Sequence, residues 1–315
     1  MRSLKDKLIG KIKILSDSVW DNRATKNQID AWLDNFSENP AEEEKERLHA
    51  LYILSQFMYF ASQEMRVLLC ALYRDLYKYP IIESIRESNN HTLDYEFISE
   101  QFAQELSQSR FLGVGNPSES GAHLLYYFRQ ENILQKDLFI NSHEIFKNIN
   151  DTELKLQSGT IKRYVFIDDF CGSGNQGVEY SKKIIETIKS IDSNVEAWYF
   201  VLFANEAGLD VIRRTTQFDR CDAVYHLDDT YKCFGESSRY KPIESELDWE
   251  FAKEMAVRYG RKLDPNHPLG YKDNELLIGF FHNTPDNTLP IIWYDEGEGS
   301  VWSPIFRRYP KKYGG

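Results

Sequence analysis

The chain has 315 residues, 42% hydrophobic and 28% charged, which supplies a sizeable core and excludes disorder as the dominant state. No apolar run approaches the roughly 18 residues of a membrane span, and residues 1–15 interleave charges with apolar side chains and lack the small-residue cleavage site of a secretory signal. A net charge of −11 removes the broad electrostatic footprint of a stand-alone nucleic-acid binder, and the scattered cysteines Cys70, Cys171, Cys221 and Cys233, with no CxxC pair, fit a reducing cytoplasm.

In chain order, the first hundred residues read as helices. Ile29, Trp32, Leu33 and Phe36 recur at helical spacing until Asn39-Pro40 breaks the pattern. A longer helical segment is expected over 42–79, with Leu48, Leu51, Leu54 and Met58 on one face and Pro80 as its stop. The acid run Glu42-Glu43-Glu44 suits the first turn of that helix. Residues 1–108 thus read as an all-helical domain that offers no reacting group and would serve docking, dimerisation or regulation.

From Phe111 onward short apolar runs alternate with helical segments. Strands are expected around 111–115, 137–140, 163–170, 196–204, 222–229 and 274–281, with helices between them. This alternation predicts an α/β domain over 109–315 with a mostly parallel sheet flanked by helices. Ligands of such sheets bind where loops leave the carboxyl ends of the strands.

One of those ends carries the strongest signal. Tyr164-Val165-Phe166-Ile167 makes a buried strand, Asp168-Asp169 follow, and Phe170-Cys171-Gly172-Ser173-Gly174-Asn175-Gln176 turns into a helix. A glycine-flanked turn before a helix aims backbone N–H groups at one point, an anion site. Carboxylates beside it suit ribose hydroxyls or a magnesium ion. Taken singly, an aspartate at a strand end is more often a turn cap, and Gly-Ser-Gly is ordinary turn chemistry. Their combination after an apolar strand favours a phosphosugar site.

Two further loops are candidates. In Gly113-Val114-Gly115-Asn116-Pro117-Ser118-Glu119-Ser120-Gly121, serines and glycines precede a helix and can present N–H groups to phosphate; an ordinary N-cap fits equally well. After the expected last strand, His282 and Asn283 place an imidazole and an amide at a strand end, where a structural histidine is the more frequent outcome. Asp228-Asp229, with no glycine-rich turn after them, read as a turn cap. The basic and aromatic residues of 307–313 read as a solvated tail, with contact to RNA, DNA or a partner's acidic surface as the alternative.

The motif from Val165 to Gln176 resembles the phosphoribosyl-diphosphate (PRPP) motif of type I phosphoribosyltransferases. The resemblance implies a phosphoribosyltransferase-type sheet, Asp168 and Asp169 as ribose and magnesium ligands, and Gly172, Ser173, Gly174, Asn175 and Gln176 as the phosphate loop. It further implies pyrophosphate contacts from Ser118, Ser120 and Gly121. Phe170 and Cys171 stand where small aliphatics are usual, and Gln176 where a hydroxyl residue is usual. These departures support the alternative of a non-catalytic nucleotide-sensing or partner-binding module. Trp32-Leu33-Asp34-Asn35-Phe36, His267-Pro268-Leu269-Gly270-Tyr271 and the segment 283–293 extend the likeness to phosphoribosyltransferase-like proteins of bacterial conflict and antiphage loci. That likeness implies a cytoplasmic glycosyltransferase-type toxin or effector, held by a regulatory protein or ribonucleoprotein encoded nearby and acting on an acceptor the sequence does not name.

Overall fold

The computed structural model describes residues 3–115, 120–150, 153–295 and 302–309, with the backbone alone for 120–123. The chain forms two compact units, one made of Met1–Met65 with Asp228–Gly315, the other of Arg66–Leu227. The expected helical and α/β domains meet at 108/109, whereas these units are bounded at 65/66 and 227/228. The helices just before residue 108 pack with the strands that follow them, and the C-terminal residues pack with the N-terminal helices.

The first unit opens with α1 (Leu4–Ser18), α2 (Lys26–Leu33) and α3 (Glu43–Ser55). Capping boxes start α1 and α2, pairing Ser3 with Asp6 and Thr25 with Gln28. The expected single helix over 42–79 is then interrupted by a strand, β1 (Met58–Phe60), which pairs in parallel with Ile278–Phe280. Aromatic residues suit a strand once a partner is present, so tertiary pairing overrides the helical spacing.

The second unit contains the principal sheet. The helix α4 (Ser62–Ala71) carries the chain past residue 65, and a π-helical turn (Leu72–Lys78) leads directly into α5 (Tyr79–Glu87). Pro80 does not stop this run. It lies in the first turn of α5, directly after the π-helical turn. Then follow α6 (Tyr95–Ser107), β2 (Ser109–Gly113), α7 (Ser120–Glu131), the antiparallel hairpin β3 (Phe146–Asn150) and β4 (Glu153–Leu156), and β5 (Arg163–Cys171). The chain continues through α8 (Asn175–Tyr180), a π-helical turn (Ser181–Ile185), α9 (Glu186–Ile191), β6 (Glu196–Asn205), α10 (Glu206–Thr215) and β7 (Arg220–Leu227).

Strands β2, β5, β6 and β7 form one all-parallel sheet in the order β2-β5-β6-β7. This is the expected α/β architecture, with β5 in its interior. One face buries Tyr77, whose hydroxyl donates to Ser109 Oγ at 2.8 Å and whose ring meets Phe111 and Trp198 edge-on. The other face buries Phe166, Tyr199, Ile185, Ile188, Leu209 and Ile212 in one cluster. The strand expected over 137–140 is instead a 3-10 turn, Lys136–Leu138, followed by a single bridge from Phe139 to Phe111.

The first unit resumes with α11 (Trp249–Leu263), β8 (Ile278–Phe280) and α12 (Pro290–Trp293). The strand expected over 274–281 is therefore three residues long and belongs to the two-stranded β1-β8 sheet, not to the principal one. Trp32 Nε1 donates to the Ile291 carbonyl at 2.7 Å, tying α2 to α12. Residues 302–306 pack into the first unit just ahead of the segment read as a solvated tail, of whose described residues Arg307 and Tyr309 are exposed. Phe306 stacks on Phe57 at 4.5 Å and on Tyr59 at 5.0 Å, while Arg308 donates to the Thr284 carbonyl and the Asp286 carboxylate. No helix among the described residues is long and apolar enough to cross a membrane.

Candidate functional site

Asp168 and Asp169 lie in the last part of β5, with Asp168 in register with Val201 of β6. Their environments differ. Asp168 is buried, 4% exposed, and one of its carboxylate oxygens accepts the Asp169 N–H at 2.9 Å, while Asp169 is half-buried. Successive strand residues project to opposite faces. The Asp168 charge reaches Tyr180, Tyr199 and Cys171 on the side covered by α8 and α9. Burial pushes the Tyr199 phenol well above its ordinary value, and it lifts the Cys171 thiol, with help from the Asp168 charge, to about 12. Cys171 is therefore a neutral packing residue near pH 7 and no nucleophile.

The loop that follows is shaped by three glycines. Gly174 sits at φ +80°, the left-handed region, and forms the N-terminal boundary of α8. A Cβ at Gly174 would lie 2.5 Å from the Gly208 carbonyl oxygen, and one at Gly208 would lie 2.1 Å from the Gly172 carbonyl oxygen. The loop 172–174 is thus pressed against the first turn of α10 at backbone distance. Gly177 meets the Ile212 side chain in the same way, with 2.6 Å to a hypothetical Cβ. This clamp fixes the start of the helical run 175–191, whose opening N–H groups have no partner inside the helix. Ser173 Oγ accepts the Asn175 N–H at 3.5 Å, a weak local cap.

The loop after β2 leaves the sheet at the same end. Gly113 is in register with Ile167, the residue before Asp168, and Val114 N–H donates to the Ile167 carbonyl at 3.1 Å. Gly115 turns the chain at φ +96°. Ser118 lies outside the described residues, and Ser120 and Gly121 open α7. The structure therefore brings together the end of β2 with residues 168–176. His282 and Asn283 follow β8 in the first unit and do not extend the principal sheet. Asp228 accepts the Thr230 N–H at 2.9 Å, the turn cap its sequence suggests.

Gly208 is the residue sequence reading missed. A glycine inside the first turn of a helix, against helix propensity, was the available signal. Among the described residues no three His, Cys, Asp or Glu side chains converge on one point to hold a metal. The acid pair suits a cation that keeps most of its ligands from water and substrate phosphates, as magnesium does.

Against known proteins, the model of the PRTase-CE family matches residues 29–308. No curated protein matches the chain. Among solved structures, the chain resembles the xanthine-guanine-hypoxanthine phosphoribosyltransferase of Helicobacter pylori, at 7% identity and a TM-score of 0.28 over 54% of this chain and 90% of that one. It also resembles the orotate phosphoribosyltransferase of Aeropyrum pernix, at 15% identity and a TM-score of 0.25 over 41% of this chain and 73% of that one. Likeness at these scores decides nothing about substrate.

Proposed function

The chain belongs to the PRTase-CE family, and from that premise we propose that it is a phosphoribosyltransferase-type enzyme whose donor site is the carboxyl end of β5. The observation that carries this reading is the sequence of parts at that end. A buried acid is followed by a reachable one, and a glycine-clamped loop follows them and opens a helical run. In this reading Asp169 takes the ribose hydroxyls of a PRPP-like donor. Asp168 fixes the strand end through the Asp169 N–H, and 172–176 cradles the 5′-phosphate with backbone N–H groups. The end of β2 with Ser118, Ser120 and Gly121 takes the diphosphate. A magnesium ion carried by the donor beside the acids would supply charge neutralisation for the leaving diphosphate.

In the transfer, the bond from C1 of the ribose to the diphosphate oxygen breaks and its electron pair leaves with the diphosphate. A lone pair of the acceptor forms the new bond to C1, and the acceptor's proton passes to solvent. The chain's share of the work is positioning and charge placement. The proposal extends to an antiphage effector that consumes its donor or modifies an acceptor when a neighbouring regulatory protein or ribonucleoprotein releases it.

Incubation of the full chain with magnesium and ribose-labelled PRPP, with and without cell extract, tests the reading. Label transferred to an acceptor, with diphosphate released, is the expected result. Saturable binding with no turnover would favour the sensing module that the residues Phe170, Cys171 and Gln176 suggest. Growth arrest on expression alone, relieved by Asp168→Asn with Asp169→Asn, is expected of an effector, and equal arrest by both proteins would contradict it.

A further inference from the structure

The first unit holds a cavity of about 560 Å³, within the size range of small-molecule sites. Every lining residue belongs to Met1–Met65 or Asp228–Gly315, and none to the unit that carries β5. Its charged lining runs against the chain as a whole. The protein carries a net charge of −11, yet among the described residues the cavity presents two guanidiniums, Arg23 and Arg307, against one carboxylate, Asp295.

Each of these groups is placed by local structure. Arg23 follows Asp21 and Asn22, two consecutive non-glycine residues at φ +49° and +57°, and its charge lies near enough to act on the Tyr59 hydroxyl. Arg307 Nε lies 3.5 Å from Asp295, and its side chain remains 68% exposed and so reaches solvent-borne anions. Asn283 supplies a neutral amide. Its Oδ1 accepts the backbone N–H of Thr284 at 3.0 Å and of Tyr309 at 2.9 Å. Two backbone donors fix the orientation of that amide, so what Asn283 has left to offer is its Nδ2 donor pair. Tyr59 and Phe281 add aromatic surface.

We propose that this cavity binds a nucleoside monophosphate, with Arg23 and Arg307 on the phosphate, Asn283 and Asp295 on the polar edges of base and ribose, and the aromatic rings against the base. Guanidiniums match phosphate with paired N–H donors, and a base offers a π-face to aromatic rings. A carboxylate beside an amide donor suits a ligand that carries both donors and acceptors, which inorganic phosphate does not. The site belongs to the first unit and the donor site proposed above to the second, and this proposal does not rest on that one.

The test is a calorimetric titration of the full chain with AMP, GMP, CMP and UMP, and with inorganic phosphate. At least one nucleotide should bind saturably, more than tenfold tighter than phosphate. That binding should persist in Asp168→Asn with Asp169→Asn and fall at least tenfold in Arg23→Ala with Arg307→Ala. Asn283→Asp keeps an oxygen for the two backbone N–H groups and replaces the donor by a charge. It should weaken nucleotide binding by a similar factor even if the double arginine variant folds poorly. Failure of all four nucleotides to bind overturns the proposal. So does phosphate binding as tightly as nucleotide, and so does binding that is lost with the aspartates and untouched by the Arg23, Arg307 and Asn283 changes.

Discussion

The carboxyl end of β5 and the interior of the first unit treat a buried carboxylate in opposite ways. Glu46 in α3 is fully buried, and it is met by the Arg258 guanidinium and by the Tyr259 hydroxyl at 2.6 Å, both from α11. Asp168 is nearly as buried, and it accepts a neighbouring backbone N–H beside the neutral groups of Tyr180, Tyr199 and Cys171. The first arrangement matches charge with charge across two helices and holds them together. The second places an acid at a strand end beside a loop whose shape depends on three glycines, the end at which we propose the donor docks. One carboxylate ties two helices together, and the other stands at the proposed site.

That contrast can be broken first at the acids. Asp168→Asn with Asp169→Asn removes two charge-assisted hydrogen-bond acceptors worth roughly 1.5–3 kcal/mol each. PRPP binding should fall by two orders of magnitude or more, while urea unfolding shifts by less than about 1 kcal/mol. Binding measured on the folded variant at wild-type strength would remove the site assignment. The reverse pattern is expected in the first unit. Arg258→Ala leaves Glu46 buried without its cation, and stability should drop by about 3 kcal/mol. Donor affinity per folded molecule should stay within a factor of two, read from the binding isotherm after correction for the folded fraction.

The clamp sharpens the comparison, because it predicts a loss of function with a moderate loss of stability. Gly208→Ala would set a methyl 2.1 Å from the Gly172 carbonyl oxygen, and the loop must move to admit it. Overpacking of this kind costs about 1–3 kcal/mol, and donor affinity should fall about tenfold. An alanine variant with unchanged affinity would show that the loop's position does not set phosphate binding.

What the sequence disclosed follows the same division. The β5 site is local in sequence: an apolar strand, two acids and a glycine turn occupy thirteen consecutive positions, so their combination was readable from 164–176 alone. Gly208 escaped because its partner, Gly172, lies on another loop. The first unit is assembled from the two ends of the described chain, as in the bond from Trp32 to Ile291. Met58-Tyr59-Phe60 fits helical spacing and becomes a strand only because Ile278–Phe280 returns to pair with it. No local pattern announces such a partner. Phe306 and Arg308 likewise find their contacts away in sequence, at Phe57, Thr284 and Asp286.

The smallest expected effect is a pH dependence confined to the first unit. His49 is buried, its Nδ1 donates to the Lys45 carbonyl at 2.6 Å, and its Nε2 accepts the Asp248 N–H at 2.8 Å. The Asp248 bond requires the neutral ring, whereas the Lys45 bond survives protonation, and burial lowers the ring's pKa below the ordinary histidine value of 6.5. The unfolded chain therefore takes up a proton that the folded chain resists. The His49 contribution is complete above pH 6.5 and declines as pH falls below it. Breaking the Asp248 bond costs about 1 kcal/mol. Unfolding free energy measured from pH 7.5 to 5.5 should decline more steeply in the wild type than in His49→Gln, and parallel curves would contradict this.

The central claim is that the donor docks at the carboxyl end of β5, and hydrogen–deuterium exchange on the full chain with and without magnesium and PRPP tests it most directly. Residues 168–178 and the backbone around 113–115 should exchange more slowly when the donor is present, while α3 and α11 exchange as before. Protection confined to 278–309, or none at a donor concentration that saturates binding, would contradict it.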